Sequence, residues 1–569
     1  MPDHVTRTLF SPALFWPLLQ LLLFASSPGC HGANILVFPV DGSHWVNMEI
    51  LVKELHSRGH NMTVIRVSES WFVRERSPHY HPVTIHLGDE GLGMELFDDS
   101  ARRILDARRQ GAVVGSLVQV RELLTILSAA HSATSNMLSK MLENQDLMAQ
   151  LKDTGFDLML TDPAMPAGVI LAHYLHLPLV YNVRWMSFGE GHFSIAPSPV
   201  SYVPVPGSGL TDQMDFLQRT RNLLHYTLNF LLERLLVFPT YSPILEKHFP
   251  PGADLLTMQY SADVWLMRMD FIFEFPRPTM PNVVYIGGFQ CRPAKALPKE
   301  LEDFVQSSGE HGVVVMTLGS LISALPREVT EAVAAAFARL PHKVVWKFTG
   351  DRRPSSLGNN TLLLDWLPQN DLLGHPKTRA FVAHGGTNGL YEAIYHGVPV
   401  LGLPLLFDQP DNLLRLQARG AVRVLEPATL TEEAFLEALR DVLNDPSYRR
   451  SMQGLSRLHR DQPQPPLQRA VFWVEYVIRN RGAGHLRTEA YSIGWACYYS
   501  LDVLALLLAM PLVPLGALVS LLRLRRSRGS KVTTAPNEEK KKTVNALKTE
   551  TKGGGKSGQA PKKFDEIDR

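Results

Sequence analysis

The sequence predicts an α/β protein of two domains that face each other across a cleft, with one membrane-spanning helix near the C-terminus. At 569 residues the chain exceeds a single domain, and its 45% of apolar residues are enough for more than one core. Short apolar runs typical of buried strands alternate with helix-like segments in both halves. Residues 503–522 form a continuous apolar run, despite Pro511 and Pro514, that is long enough to cross a bilayer.

Composition excludes some classes of protein. The formal net charge of +2 gives no reason to expect nucleic-acid binding, because the basic residues are not gathered on one interior helix. The three cysteines do not make a disulfide framework, since Cys30 leaves with a signal peptide and Cys497 adjoins the membrane span. Cys291 is expected to be a structural thiol rather than a nucleophile, because no Cys-His signature surrounds it.

Residues 1–32 have the three-part pattern of a secretory signal peptide. A basic residue, Arg7, precedes a leucine-rich apolar core, and small residues follow it. The alternative is a first membrane helix, but the apolar core is short for one.

The first strand–helix–strand unit carries a candidate catalytic base. Residues 34–40 read as a buried strand, His44 opens a helix, and residues 61–67 form the next strand. His44 therefore lies at the C-terminal edge of the first strand, where α/β sheets bind ligands. Imidazole suits the removal of a hydroxyl proton near neutral pH, while the alternative role is to cap the helix.

Asp162 follows another predicted strand, residues 157–160. A carboxylate just past a strand end can accept the Nδ1 proton of a histidine, which fixes the tautomer and stabilises the imidazolium. The alternative is a helix-capping Asp before Pro163. Paired with His44, Asp162 is predicted to support catalysis.

Residues 219–241 form an apolar segment interrupted by charges. The interruptions argue against a bilayer span, so the segment is either a core helix or an interfacial one. A strand at 284–289 closes the first domain, and a linker over 292–298 leads to the second. There we predict strands at 312–317, 343–348 and 379–383, and helices at 326–340, 387–395, 411–420, 431–443 and 466–480.

The most informative stretch runs from Trp366 to Asn412. An apolar strand leads into the turn H-G-G and then a helix with a Thr or Asn as its expected cap, which offers a diphosphate unpaired N–H groups and a positive dipole end. Trp366 supplies a flat face before this turn, and Glu392 lies one helical turn beyond Asn388. A flat face, an anion site and several hydroxyl-binding groups together predict a nucleotide-sugar site.

This stretch resembles the signature of the UDP-glycosyltransferases, most closely the membrane-bound animal UDP-glucuronosyltransferases. The resemblance implies the GT-B fold, in which two Rossmann-like domains face each other across a cleft. It implies that Trp366 stacks on uracil, that Gln369 contacts the nucleoside and that Glu392 binds the ribose hydroxyls. The implied diphosphate- and sugar-binding residues are His384, Gly386, Thr387, Asn388, Asp408 and Gln409, and the turn with Thr317, Gly319 and Ser320 completes the donor site.

The resemblance also implies a reaction. UDP-glucuronate is the expected co-substrate, and His44, assisted by Asp162, is the expected base in an inverting transfer to a hydroxyl of a small lipophilic acceptor. No D-x-D motif is present, so no metal and no bound cofactor are expected. UDP-glucose, UDP-galactose or UDP-N-acetylglucosamine are the alternative donors. A catalytically silent membrane partner of active relatives is the alternative of another class, and homo- or hetero-oligomers with relatives remain open.

Two departures from the family pattern stand out. Phe407 occupies a position where the family has a small residue, which bears on the sugar end of the site. The C-terminus lacks a terminal dilysine, so residence in the endoplasmic reticulum membrane follows from the resemblance alone.

The basic residues after the span, from Arg523, predict a single-pass type I protein with lumenal catalytic domains. Asn61 and Asn359 lie in glycosylation sequons, and Asn359, in a polar loop, is the better candidate.

Together these features predict six segments. They are a signal peptide (1–32), an acceptor-binding Rossmann-like domain (33–290), a UDP-sugar-binding Rossmann-like domain (291–445), returning helices with a juxtamembrane segment (446–502), a transmembrane helix (503–522) and a cytosolic basic tail (523–569).

Overall fold

The first half of the chain builds a seven-stranded parallel sheet. The computed structural model describes residues 32–88, 93–184, 198–320, 322, 325–350 and 352–531. The predicted signal peptide, except its last residue, and the tail beyond residue 531 lie outside the described residues. The strands are β1 (Asn34–Phe38), β2 (Asn61–Val67), β3 (His81–Ile85), β4 (Leu158–Thr161), β5 (Leu179–Val183), β6 (Val264–Met267) and β7 (Val283–Tyr285), in the order β3-β2-β1-β4-β5-β6-β7.

Helices cover both faces of this sheet, as parallel strands require. Apolar side chains of the helix Ser43–Ser57 (α1), which include Trp45, Met48 and Leu51, are fully buried on one face. The helices are α1 (Ser43–Ser57), α2 (Glu95–Arg109), α3 (Ala112–Glu143), α4 (Gln145–Asp153), α5 (Ala167–Tyr174), α6 (Phe216–Leu232), α7 (Phe238–His248) and α8 (Leu255–Tyr260), with a π-helical turn at Glu233–Val237 between α6 and α7.

The second half builds a six-stranded parallel sheet of order β10-β9-β8-β11-β12-β13. Its strands are β8 (Val313–Thr317), β9 (Lys343–Lys347), β10 (Thr361–Leu364), β11 (Thr378–Ala383), β12 (Val400–Gly402) and β13 (Val422–Val424). Its helices are α9 (Lys299–Gln306), α10 (Arg327–Ala338), α11 (Gln369–Leu373), α12 (Thr387–His396), α13 (Gln409–Gln417), α14 (Glu432–Asn444) and α15 (Pro446–Arg460).

Each half contributes a helix to the core of the other. Phe97, Ile104 and Leu105 of α2 are buried in a cluster with strands and helices of the second sheet. Helix α16 (Pro466–Asn480) returns to the first sheet and buries Val471 and Val474 against it. The two halves therefore share their packing rather than meeting only at a surface.

The C-terminal helix is longer than the predicted span. After α17 (Trp495–Tyr498), α18 covers Leu501–Lys531, so the start of the predicted tail, from Arg523, continues the helix. The leucine and arginine residues there are good helix formers, which accounts for the continuation. Residues 501–528 of α18 are long and apolar enough to cross a membrane, and so is α3, but α3 packs Met137, Leu138 and Met141 into the first core.

Both candidate glycosylation sites have exposed side chains. Asn61 opens β2 and donates a hydrogen bond to Asn34 Oδ1 at 3.0 Å, whereas Asn359 lies in the turn before β10. The use of either sequon stays a prediction.

Candidate active site

A cavity of about 590 Å³ lies at the carboxyl ends of the strands of both sheets. This is where ligands bind in open α/β folds. Residues from both halves line it, and all the predicted donor residues except Thr387 are among them. The lining includes His44, Thr317, Gly319, Ser320, Trp366, Gln369, His384, Gly386, Asn388, Glu392, Asp408 and Gln409.

On the first wall, the partly buried His44 pairs with the fully buried Asp162. His44 lies in the first turn of α1, Asp162 directly follows β4, and β1 and β4 are neighbours in the sheet. The Nδ1 atom of His44 is 2.6 Å from Oδ2 of Asp162, whose other oxygen accepts a hydrogen bond from Ala164 N at 3.0 Å. One oxygen of Asp162 thus accepts a local turn hydrogen bond, as a cap would, while the other pairs with His44. The two interpretations of Asp162, capping and catalytic, are therefore compatible.

Burial sets the charges of this pair. Burial lowers the pKa of His44, and the carboxylate of Asp162 offsets part of that shift. Burial alone would raise the pKa of Asp162, but His44 and Arg268 outweigh it and hold the pKa below its usual value. A neutral imidazole beside an ionised carboxylate is the state from which a general base accepts a proton.

On the opposite wall, His384 follows β11 and lies between two glycines. A Cβ atom on either Gly319 or Gly386 would approach His384 Nε2 to 2.6 Å, so only glycine admits the ring there. Gly319 also has a φ of 87°, which favours glycine. Burial lowers the pKa of His384 to about 4, and its Nδ1 atom is buried without a hydrogen-bond partner. The imidazole is therefore neutral, and its Nδ1 atom is one of the few buried polar atoms in the described part of the chain left without a partner.

Helix α12 begins beside His384 with an open first turn. The predicted Thr or Asn cap was wrong, because Gly386 is the N-cap residue and no side chain caps the helix. Thr387 is buried, and the Asn388 amide is engaged elsewhere, since its Oδ1 accepts a hydrogen bond from Asn47 Nδ2 at 3.1 Å. The leading N–H groups of α12 therefore keep no side-chain acceptor, as an anion site requires.

Trp366, Gln369 and Glu392, the residues predicted to bind the nucleoside, all line the cavity. The Trp366 side chain is 59% exposed, and Lys347 Nζ lies 5.5 Å from its ring centroid. Gln369 Nε2 donates a hydrogen bond to Glu392 Oε2 at 2.6 Å. Burial raises the pKa of Glu392 to about 7, with the Gln369 bond opposing the shift. A ligand that donates hydrogen bonds to this carboxylate would favour its ionised form.

The loop before α13 carries Asp408, Gln409 and Phe407. Asp408 Oδ2 accepts a hydrogen bond from Asn412 Nδ2 at 2.8 Å, and Gln409 Oε1 accepts hydrogen bonds from Leu405 N and Leu406 N. Phe407 has a φ of 55°, and its ring centroid lies 6.2 Å from that of Phe97 on α2. Gln409 thus braces its own loop, and Phe407 ties that loop to the other half of the molecule.

Sequence analysis missed three polar residues near the cavity. Arg184 lines the cavity and bonds Ser43 Oγ, while Arg268 Nη1 donates hydrogen bonds to His44 O at 3.2 Å and Asn47 Oδ1 at 2.7 Å. Lys347 lines the cavity and donates to Gly319 O at 2.5 Å. Arg184 and Arg268 each directly follow a buried strand and Lys347 ends one, so the rule that located His44 could have found them.

Within the described part of the chain, no group of three or more His, Cys, Asp or Glu side chains is arranged to hold a metal ion. The expectation that no metal is required stays a prediction. Burial raises the pKa of the Cys291 thiol, which disfavours the reactive thiolate.

Sequence comparison places these residues within a known pattern. Residues 33–523 match the model of the family described as UDP-glucoronosyl and UDP-glucosyl transferase. The chain is 42% identical to mouse (Mus musculus) UDP-glucuronosyltransferase 2A2 over 86% of its own length and 94% of that protein. It is 41% identical to human (Homo sapiens) UDP-glucuronosyltransferase 2B15, over 86% of this chain and 92% of that one.

Solved structures support the fold. The glycotransferase of kitacinnamycin aligns with a TM-score of 0.53 at 18% identity, over 79% of this chain and 100% of that one. The glycosyltransferase VinC aligns with a TM-score of 0.51 at 19% identity over the same shares of the two chains. With the two parallel sheets, these similarities confirm the predicted GT-B fold.

Proposed function

The chain belongs to the UDP-glycosyltransferase family, and on that premise we propose that this enzyme transfers glucuronic acid from UDP-glucuronate to a small lipophilic alcohol or phenol. The observation that carries the proposal is one cavity lined by a carboxylate-paired histidine and by the nucleotide-sugar residues of the opposite domain. The choice of glucuronate is supported by the relatives at about 42% identity, which are UDP-glucuronosyltransferases.

In the proposed donor complex, uracil stacks on the exposed face of Trp366, where Lys347 now lies. The ribose hydroxyls bond Glu392 and Gln369. The diphosphate binds at the first turn of α12 and accepts a hydrogen bond from the neutral imidazole of His384. Thr317, Gly319 and Ser320 border the phosphates, and Asp408 and Gln409 bind sugar hydroxyls.

The proposed reaction is an in-line displacement at the anomeric carbon. The acceptor hydroxyl gives its proton to Nε2 of His44 while its oxygen forms the new bond to the anomeric carbon. The bond from that carbon to the phosphate oxygen breaks, and UDP leaves with the electron pair. Asp162 holds the Nδ1 proton of His44 and stabilises the imidazolium, so an α-linked donor gives a β-linked product.

The alternative donors differ at the sugar end of the site. Phe407 enlarges the side chain where the family has a small residue, and it lines the cavity. UDP-glucose, UDP-galactose or UDP-N-acetylglucosamine would require the same base and the same nucleotide contacts.

The cellular setting is a further part of the proposal. The relatives and the apolar helix α18 indicate a membrane-bound protein. We assign the catalytic domains to the lumen of the endoplasmic reticulum, with residues 33–290 binding the acceptor and residues 291–445 binding the donor.

The test offers each UDP-sugar with a panel of phenols and steroids to membranes carrying the full chain. His44→Ala should reduce transfer from UDP-glucuronate by about 10²–10⁴-fold, the usual contribution of a general base. His56→Ala is the matched control, because His56 is an exposed histidine on the same helix, away from the cavity. Transfer only from another UDP-sugar would overturn the donor, whereas UDP binding without transfer from any donor would favour a silent partner protein.

A further inference from the structure

Arg184 is a buried cation of the cavity that no described carboxylate neutralises. It directly follows β5, is only 8% exposed and lines the cavity. Its Nη1 atom donates a hydrogen bond to Ser43 Oγ, and its Nε atom is buried without a partner. Among the described residues, no aspartate or glutamate forms an ion pair with it. Because a buried charge is costly without a counterion, this guanidinium fits an anionic ligand.

The other arginine and lysine side chains that line the cavity are already engaged by the protein. Arg66 donates hydrogen bonds from all three of its nitrogens to backbone or hydroxyl oxygens. Arg292 forms an ion pair with Asp371 at 3.1 Å. Lys347 donates a hydrogen bond to a backbone carbonyl and lies against the ring on which uracil is proposed to stack. Among the described lining residues, Arg184 is therefore the arginine left open to a ligand.

The position of Arg184 fits the sugar of the donor. Its partner Ser43 precedes the base His44 in α1. The pKa of both His44 and His384 is lowered mainly by burial, and the positive charge of Arg184 adds to the lowering at both. In the proposed reaction, His44 acts at the anomeric carbon, and His384 donates a hydrogen bond to the diphosphate attached to that carbon. A sugar ring held between these two histidines has its substituents near Arg184.

The chemistry of glucuronic acid suits this guanidinium. Glucuronic acid has a carboxylate where glucose has a hydroxymethyl group. A planar guanidinium offers a carboxylate two parallel N–H groups. Because Nη1 of Arg184 bonds Ser43 Oγ, the edge formed by Nε and Nη2 remains for such a pair. The sugar of UDP-glucose carries no charge and would leave the guanidinium without a counterion, so the same site disfavours that donor.

We propose that Arg184 binds the carboxylate of the glucuronic acid moiety and thereby selects UDP-glucuronate over UDP-glucose. This inference rests on the proposed function, because it needs glucuronate as the donor. The sugar is then recognised from the half of the molecule opposite the one that binds the nucleotide. The bound carboxylate also offsets the positive charge beside His44, which favours protonation of the base during transfer.

The test measures donor binding and transfer with the full chain in membranes and its Arg184→Met variant. Binding of UDP-glucuronate, UDP-glucose and UDP is measured by displacement of a fluorescent UDP analogue, and kcat/KM is measured for both donors with a neutral phenol. Arg184→Met should weaken UDP-glucuronate binding by roughly 10–100-fold, the value of hydrogen bonds to a charged group, and UDP binding by less than about threefold. The ratio of kcat/KM for UDP-glucuronate to that for UDP-glucose should fall by a similar factor.

Two further variants control the result. Arg102→Met is the matched control, because Arg102 is a 65% exposed arginine on α2, away from the cavity. It should leave the donor ratio unchanged. Arg184→Gln removes the same charge but keeps a hydrogen-bond donor for Ser43, so it decides the question if Arg184→Met fails to bind UDP.

The outcomes separate this inference from the proposed function. Equal weakening of UDP-glucuronate, UDP-glucose and UDP would assign Arg184 to the diphosphate and overturn the inference. A loss confined to acceptors that carry a carboxylate, with both donors, would assign it to the acceptor and overturn the inference too. In both cases transfer from UDP-glucuronate by the unmodified chain would leave the proposed function standing. Transfer by the unmodified chain from UDP-glucose alone would overturn the proposed donor and this inference together.

Discussion

Each wall of the cavity contains a histidine and a nearby carboxylate, but the two walls arrange them differently. On the first wall, Nδ1 of His44 is hydrogen-bonded to Oδ2 of Asp162 at 2.6 Å. On the second wall His384 Nδ1 has no partner, and Glu392 is bonded to the neutral amide of Gln369. The paired arrangement can stabilise a proton arriving on the histidine. The unpaired arrangement keeps the histidine uncharged, so we expect proton transfer at the first wall and donor binding at the second.

The largest expected effect comes from removing the negative charge of Asp162 beside His44 on the first wall. Asp162→Asn removes the charge that stabilises the His44 imidazolium, and transfer should fall by about 10²–10⁴-fold. The pKa of His44 should also fall, because the carboxylate now offsets part of the lowering caused by burial. The acidic limb of the pH profile of kcat/KM should therefore move to lower pH. An unchanged limb in rate measurements from pH 5 to pH 9 would show that His44 does not titrate in catalysis.

The histidine on the second wall should behave in the opposite way. His384→Ala should lower kcat/KM for the UDP-sugar by roughly 10–100-fold, the value of one hydrogen bond to a charged group. Because burial holds the pKa of His384 at about 4, its removal should leave the shape of the pH profile between pH 5 and pH 9 unchanged. A shifted profile would show that the two histidines are not divided as proposed.

The carboxylate on the second wall, Glu392, should make the free energy of unfolding depend on pH. Burial raises the pKa of Glu392 to about 7 in the folded protein, so folding favours the protonated side chain. The stability that this protonated side chain contributes is fully present at pH 4 and is lost as the pH rises through 7. Glu392→Gln keeps the neutral form at all pH values. It should therefore stabilise the protein at pH 8 by up to about 2 kcal/mol and have little effect at pH 4. Thermal unfolding of the ligand-free protein at the two pH values measures the difference.

The smallest effect is expected where the walls touch. Phe407→Ala removes the contact with Phe97 and should cost about 1 kcal/mol of stability. Because Phe407 lines the cavity, the substitution should also change the ratio of kcat/KM values between UDP-glucuronate and UDP-glucose. A matched loss for both donors would show that Phe407 supports the loop without selecting the sugar.

The two walls also differed in how far sequence could predict them. The second wall is nearly continuous in sequence, so the turn at His384 and the helix carrying Glu392 could be read from a single stretch. The residues of the first-wall pair are 118 positions apart, and they were linked by the rule that ligands bind at strand ends together with the family resemblance. The prediction of a Thr or Asn cap for α12 failed. The Asn388 amide instead accepts a hydrogen bond from Asn47 of the other half, and no local sequence pattern predicts that contact.

The segment from 219 to 241 shows a different limit. Its composition allowed a core helix or an interfacial one, and the structure divides it into α6, a π turn and α7. Leu217, Leu224 and Leu228 of α6 are exposed, whereas Tyr241 of α7 is fully buried. Hydrophobicity alone could not separate these outcomes, because burial depends on which elements pack nearby.

Helix α2 has a consequence for building hybrid enzymes. Its side chains Phe97, Ile104 and Leu105 belong to the core of the second half, while α16 from the end of the chain packs on the first sheet. Two relatives joined at the linker near residue 291 would each contribute a helix shaped for a core that is no longer there. Recombination that swaps donor preference should therefore keep α2 with the second half and α16 with the first, even though both choices interrupt the order of the gene.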